Sequence, residues 1–102
     1  MNELPTEELF REAIGDTLEM RLSPDASVQI VMVEVTSLGE RDVRPETGIR
    51  ARPFSVIFQG PHDLEAPQGI YGLAHTRLGE FELFLVPLQP DSEGTRFEAV
   101  FG

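Results

Sequence analysis

Residues 80–88 read EFELFLVPL, and this stretch gives the strongest indication of the fold. Alternate residues of a strand point to opposite sides, so Leu83 and Leu85 point to one side of a predicted sheet. The residues between and after them, Phe84, Val86 and Leu88, point to the other side. A sheet with one solvated face would not be apolar on both sides. The stretch therefore predicts either a closed barrel capped by a helix or a surface used in self-association.

A second predicted strand, SVQIVMVEVTS at residues 27–37, repeats this two-faced pattern. Its apolar residues are expected on two opposite faces, one carrying Val28, Ile30 and Met32 and the other carrying Val31, Val33 and Val35. Both faces of at least two strands then need to be covered.

The remaining elements follow from periodicity and turn residues. A helix is predicted over residues 6–14, with Thr6 as its N-cap and Gly15 as its stop. Strands are predicted over residues 17–22, 27–37, 53–60, 69–75, 80–88 and 95–101. We expect a mainly β fold over residues 1–102 as a single domain: a small antiparallel β-barrel or sandwich of about six strands in a meander, with one N-terminal α-helix.

The net charge and the amino-acid composition of the chain argue against several classes of function. Eighteen acidic residues against eight basic ones give a net charge of −10, which disfavours binding to nucleic acids and to anionic membranes. All eight basic residues are arginine and cysteine is absent, so lysine Schiff bases, disulfides and thiolate chemistry are excluded. No cofactor is expected. The N-terminal residues do not resemble a signal peptide, which predicts cytoplasmic synthesis and leaves export by another route open.

The segment FQGPHDLEAPQGIYGLAH, residues 58–75, contains both histidines of the chain. His62, Asp63, Glu65 and His75 are residue types that acid–base catalysis or metal binding would use. Their spacing matches no recurring metal motif, and clusters of Pro and Gly mainly change the direction of the chain. We interpret the segment as a connector and assign no catalytic, cofactor or metal residue. The alternative is a small ligand- or metal-binding barrel, with or without enzymatic activity, that uses the His62/Asp63/Glu65 loop.

Residues 38–52 form a predicted charged loop that concentrates positive charge in an acidic protein. Its arginines are Arg41, Arg44, Arg50 and Arg52. A charged loop is usually only solvated. It could also dock on the acidic N-terminal helix of a second copy, through Glu3, Glu7, Glu8 and Glu12, or on another acidic partner.

Several phrases of the sequence resemble a bacterial family catalogued as a domain of unknown function, number 6916; they include PFSVIFQGP, PQGIYGLAH, LGEFELFLVPL and the terminal RFEAVFG. GDTLEMRL and VEVTSLG extend the resemblance over almost the whole chain. The family has no established activity, so it supplies no catalytic residues. The resemblance implies a genomic association with phage-tail-collar-like proteins, and hence an accessory role in a tail-derived or fibre-like assembly.

Taken together, these features predict a non-enzymatic structural or interaction module that binds a protein partner or assembles with itself. Contact energy is expected from exposed apolar residues of the last two strands, Phe84, Val86, Val100 and Phe101, and register from the arginines of residues 38–52. The terminal strand, residues 95–101, could in addition pair edge to edge with a neighbour.

Overall fold

The fold is described from a computed structural model, which describes residues 5–37, 42–44, 49–51, 53–89, 92 and 94–101; for residues 42–44 and 49–51 only the backbone is described. The elements in chain order are α1 (Glu7–Glu12), β1 (Thr17–Ser23), β2 (Ala26–Ser37), β3 (Asp42–Arg44), β4 (Ile49–Ala51), β5 (Phe54–Gly60), β6 (Gly69–His75), β7 (Gly79–Pro87) and β8 (Thr95–Phe101).

Six strands form a closed antiparallel barrel in the order β1-β2-β5-β8-β7-β6, which confirms the predicted barrel with one N-terminal helix. The predicted meander is wrong. Strand β5 pairs with β8 rather than with β6, and β6 returns to pair with β1 and close the barrel. Strands β5 to β8 therefore form a Greek key, in which the connection over residues 61–68 crosses one end of the barrel.

A β-bulge in β2 corrects the predicted faces of that strand. Met32 pairs with Phe58 and Glu34 with Ile57, so Val33 is an extra residue without a partner in the register. One extra residue reverses the alternation of side chains. Val35 is consequently buried on the inner face with Met32, whereas Val31 is exposed. The prediction that Val31, Val33 and Val35 share one face was wrong because the bulge cannot be read from period-two alternation.

Helix α1 covers one end of the barrel. The Thr6 side chain accepts a hydrogen bond from the backbone N–H of Leu9 and so caps the first turn. The fully buried Phe10 lies among Phe54, Phe81 and Phe101, with ring centroids 5.3–6.1 Å apart. We call this the helix end of the barrel. No helix within the described residues has the length and apolar content that a membrane crossing requires.

The connection between β5 and β6 covers the opposite end, which we call the connector end. Leu64 and Ala66 pack against the core, and the Leu64 carbonyl accepts a hydrogen bond from the Thr95 hydroxyl. The Tyr71 hydroxyl donates to the carbonyl of Pro67. These contacts attach residues 61–68 to the end of the barrel, and the interpretation of the segment as a connector stays a prediction.

The stretch predicted as a charged loop over residues 38–52 contains two short strands. Strands β3 and β4 pair antiparallel, with Val43 opposite Arg50 and Arg44 opposite Ile49. The prediction of a loop without strands was therefore wrong. Short strands rich in charge and bounded by Gly and Pro carry little of the apolar alternation by which strands are recognised.

Candidate interaction surface

Three large apolar side chains lie side by side on the outer surface of the barrel. Ile70 is 69% exposed, Phe84 is 52% exposed and Val100 is 61% exposed. Ile70 pairs directly with Phe84 across β6 and β7. Extending the β7–β8 register from the Val86–Glu98 pair places Val100 opposite Phe84. We call Ile70, Phe84 and Val100 the apolar row.

The row exists because β7 is apolar on both faces. Phe81, Leu83 and Leu85 are buried inside the barrel, which leaves Phe84 on the solvent side. Since the inside of the barrel is already filled, Phe84 has no place in the core. Clusters of exposed large apolar side chains are uncommon on a protein surface that contacts only water.

The four apolar residues predicted for an interface have different positions. Phe84 and Val100 are exposed within the apolar row, and Val86 is half-buried beside Glu98 on the same outer surface. Phe101 lies on the inner side of β8. It is half-buried and stacks on Phe54 at a centroid distance of 4.5 Å, so its main contacts are with the core.

Ile70 is a member of the row that the sequence analysis missed. Within β6 it lies three positions before the buried Leu73, and an odd separation places two strand residues on opposite faces. The odd separation between Ile70 and Leu73 could therefore have predicted that Ile70 is exposed.

Two carboxylates flank the apolar row. Glu82 lies two residues before Phe84 on β7, and Glu98 lies two residues before Val100 on β8. Within the described part of the chain, neither carboxylate forms an ion pair with another residue. Together with the net charge of −10, they make this surface electrostatically complementary to a cationic partner.

Of the predicted arginine group, Arg41 and Arg52 lie outside the described residues. Arg44 lies on β3 and Arg50 on β4, where the structure describes the backbone. The docking role assigned to the four arginines thus stays a prediction.

The structure does not bring the two histidines together. His62, Asp63 and Glu65 are exposed in the connection that covers the connector end. His75 is the last residue of β6, a seven-residue strand, and therefore lies at the helix end, roughly 20 Å away at the usual rise per residue. Within the described residues, no group of three or more His, Asp or Glu side chains is arranged to hold a metal ion.

His75 is instead part of a buried hydrogen-bond cluster. Its side chain is 1% exposed, and its Nδ1 atom accepts hydrogen bonds from the backbone N–H groups of Arg77 and Leu78. Because Nδ1 is an acceptor, the ring proton lies on Nε2, which donates to Oδ2 of Asp16 at 2.9 Å. Arg77 donates to the same oxygen at 3.0 Å. The hydrogen bonds from His75 and Arg77 hold the pKa of Asp16 below its usual value. Both ring nitrogens of His75 are occupied, so the cluster connects the β6–β7 turn to the turn before β1.

Comparison with known proteins identifies one family. The model of a family described as a domain of unknown function, DUF6916, matches residues 5–101. No curated protein and no solved structure shows a significant match to the chain.

Proposed function

The chain belongs to the DUF6916 family, and from the geometry of this chain we propose that it is a non-enzymatic module that binds another protein. The observation that carries the proposal is the apolar row of Ile70, Phe84 and Val100 on the outside of a barrel whose core is already complete. Burying these side chains against a partner removes apolar surface from water and supplies binding free energy.

Charge indicates which partner fits. A second copy of the chain would bring another Glu82 and Glu98 to the same surface, and the two molecules would each carry a net charge of −10. Like charges that face each other at an interface disfavour association. We therefore favour a heterologous partner that presents apolar side chains flanked by arginine or lysine. A subunit of a tail-derived or fibre-like assembly is the class of partner that the family resemblance suggests.

Self-association remains a second candidate because of one further observation. Glu8 and Glu12 are exposed on α1 and could receive the arginines of residues 38–52 from another copy. Glu7, which was predicted to take part, is already paired with Arg11 at 2.7 Å and hydrogen-bonded to Ser37. Such an assembly would weaken with increasing salt, because exposed charge pairs are screened.

The test compares three forms of the full chain. In the first variant, Phe84→Ser and Val100→Ser remove two residues of the apolar row. In the control variant, Leu22→Ser and Val31→Ser remove two apolar residues that are 37% and 36% exposed on β1 and β2. Each form is measured by size-exclusion chromatography with light scattering over a range of salt and protein concentrations. Each is also used to capture proteins co-expressed from the neighbouring genes of its own genome.

The proposal predicts that wild-type and control proteins retain a specific protein that the row variant loses. A salt-sensitive oligomer that the row variant still forms would support the self-association candidate instead. A monomer whose captured proteins are the same for the wild type and the row variant would overturn the role of the apolar row.

A further inference from the structure

The outer surface that carries the apolar row is convex. Strands β6, β7 and β8 are neighbours in a closed barrel of six strands, so the outward direction turns around the barrel axis by about 60° from one strand to the next. Ile70 and Val100 lie on the outer two of these three strands and therefore point away from each other. Phe84 projects between them from the middle strand. The apolar row is thus a ridge with Phe84 at its crest.

The two flanking side chains support the Phe84 ring without covering it. Ile70 lies opposite Phe84 on β6 and Val100 lies opposite it on β8, yet 52% of the Phe84 surface stays exposed. A side chain that neighbours hold on both sides loses less conformational freedom on binding than an unsupported one. Phe84 is therefore preorganised to enter a recess in another molecule.

The surface beside the ridge is low on the side towards the helix end. The next outward pair of β6 and β7 in that direction is Gly72 with Glu82. Gly72 has no side chain, and the nearest neighbour of a Cβ atom built there would be Cδ of Arg21, at 3.9 Å. Open space thus lies next to Phe84 for the wall of a recess in the partner.

Carboxylates lie on both sides of the ridge. Glu82 is exposed two residues before Phe84 on β7. Glu98 is half-buried opposite Val86, which follows Phe84 by two residues on the same strand. The rim of a recess that receives Phe84 would lie against these two carboxylates. Arginine or lysine on that rim would pair with them, whereas acidic residues would be repelled.

A second copy of the chain fits this surface poorly. Two convex ridges touch over a small area only, because their flanking side chains point away from each other. The cavity beside the β1–β2 turn is lined by polar groups that include Glu19, Arg21 and Asp25, so it is not an apolar recess. Burying polar groups against a phenylalanine ring without hydrogen-bond partners costs free energy.

We propose that the partner contributes a recess lined by apolar side chains and rimmed by arginine or lysine, and that Phe84 inserts into this recess as the main anchor. Ile70 and Val100 contact its walls, while Glu82 and Glu98 pair with its rim. The inference rests on the proposed function. It specifies the shape of the partner's surface and the residue that dominates binding, since a central aromatic anchor typically carries most of the binding energy.

The first test needs no partner, because the ring-shaped β-cyclodextrin has an apolar cavity that holds a benzene ring. Two hosts are added separately to the isotopically labelled full chain: β-cyclodextrin itself, and a derivative with guanidinium groups in place of the primary hydroxyls. NMR chemical shifts report which residues each host contacts. We expect both hosts to shift the resonances of Phe84 and its neighbours. The guanidinium host should bind about tenfold more tightly at low salt.

Variants separate insertion of the ring from general attraction. Phe84→Ser should abolish the local shifts with both hosts, whereas the Leu22→Ser, Val31→Ser control should behave like the wild type. Glu82→Gln with Glu98→Gln should weaken binding of the guanidinium host by about threefold or more and leave the neutral host unaffected. Glu8→Gln with Glu12→Gln removes the same net charge from α1, where both residues are exposed, and should have a smaller effect.

The second test uses the protein that the wild type retains in the capture experiment described above. Its affinity is measured for three single variants of the full chain. Phe84→Ala should weaken binding by about 30-fold or more, because it removes the anchor. Ile70→Ala and Val100→Ala should each weaken binding by less than about tenfold, because the ridge turns both side chains away from the centre of the contact.

The inference is overturned if neither host shifts the Phe84 resonances, or if Phe84→Ser binds both hosts as the wild type does. Equal losses in the three alanine variants would indicate a flat contact surface instead of a recess. Equal effects of the two glutamine variants would contradict the basic rim. A dimer that Phe84→Ala dissolves would replace the recess with a second copy. In each case, loss of a heterologous partner by the Phe84→Ser, Val100→Ser variant would still support the proposed function, so the two failures are distinguishable.

Discussion

The Nε2 atom of His75, at the end of β6, lies 2.9 Å from Oδ2 of Asp16, a residue 59 positions earlier in the turn that leads into β1. The Asp16 turn is also tied to β2, because the N–H of Met32 donates to the Asp16 carbonyl and the N–H of Gly15 donates to the Met32 carbonyl. Gly15 adopts a φ of 94°, which favours glycine. His75 therefore helps to hold β6 against the start of β1, where the barrel closes.

Replacing His75 with alanine should destabilise the protein strongly. The change leaves the N–H groups of Arg77 and Leu78 without their acceptor in a partly buried position and removes a side chain that is 1% exposed. We expect a loss of about 2–4 kcal/mol in the free energy of unfolding, measured by urea denaturation. Arg77→Ala is the control, since that side chain is 60% exposed and its removal should cost much less. Equal losses for the two variants would contradict the structural role of His75.

The stability contributed by Asp16 should depend on pH. Its pKa is lowered in the folded protein, from 3.8, by the hydrogen bonds from His75 and Arg77. A lowered folded-state pKa gives stability that is complete above the unfolded-state pKa and is lost as the pH falls through the folded-state value. The difference in unfolding free energy between wild type and Asp16→Asn should thus be constant from pH 5 to 7 and shrink below about pH 4. A difference that grew on acidification would contradict this sign.

Phe10 should contribute more to stability than any other residue of α1. It is fully buried at the helix end and contacts three other phenylalanine rings. Phe10→Ala should cost about 3–5 kcal/mol, because a large cavity opens next to Phe54, Phe81 and Phe101. The neighbouring Leu9 is 44% exposed, so Leu9→Ala is a matched control that should cost roughly 1 kcal/mol or less. A stable Phe10→Ala variant would show that the helix does not complete the core.

Substitutions at Gly94 and Gly79 allow a further comparison between a variant and its matched control. Both adopt positive φ, 142° at Gly94 and 84° at Gly79. A Cβ atom at Gly94 would collide with the carbonyl oxygen of Gly60, whereas one at Gly79 would meet nothing within 4 Å. Gly79→Ala should cost about 1–2 kcal/mol for its backbone conformation alone. Gly94→Ala should cost more, about 3 kcal/mol or above, because the start of β8 must move away from β5. Thermal or urea unfolding of the two variants checks the order, and a reversed order would contradict the close contact.

Metal addition tests the alternative function built on the connector. His62, Asp63 and Glu65 are exposed, and His75 lies at the other end of β6. A ligand that binds only the folded state raises the melting temperature. We expect Zn²⁺ and Mg²⁺ to leave the melting temperature unchanged. A rise that disappears in a His62→Ala variant would favour the ligand-binding barrel over the interaction module.

Local periodicity was sufficient to predict most elements of this fold. The strand predicted over residues 69–75 is β6 and that over 95–101 is β8, because apolar alternation bounded by Gly, Pro and charged turns is a local property. The two-faced pattern of residues 80–88 predicted either a closed barrel or a self-association surface, and the structure is a closed barrel in which Phe84 stays exposed on the outer face. The helix is shorter than predicted, ending at Glu12 with Ala13 as its C-cap.

The neighbours of the terminal strand could not be predicted from the local sequence. Residues 95–101 were expected to offer an edge for pairing with a neighbour, but β8 lies between β5 and β7 within the barrel. Removing it would take Phe97 and Ala99 out of the core, so truncation would test folding rather than assembly.

The sequence by itself determined the charge of −10, the alternation that places Leu83 inside and Phe84 outside, and the excess of apolar surface that a flat sheet could not bury. Tertiary structure decided the pairing of β5 with β8, the bulge at Val33, the contact between His75 and Asp16, and the alignment of Ile70, Phe84 and Val100 into one row. The physical reason is that side-chain periodicity is set by neighbouring residues along one strand. Strand order and register depend instead on how segments that are distant in the sequence pack into one core. They are decided by which complete arrangement of the strands has the lowest free energy, and no single strand contains that information.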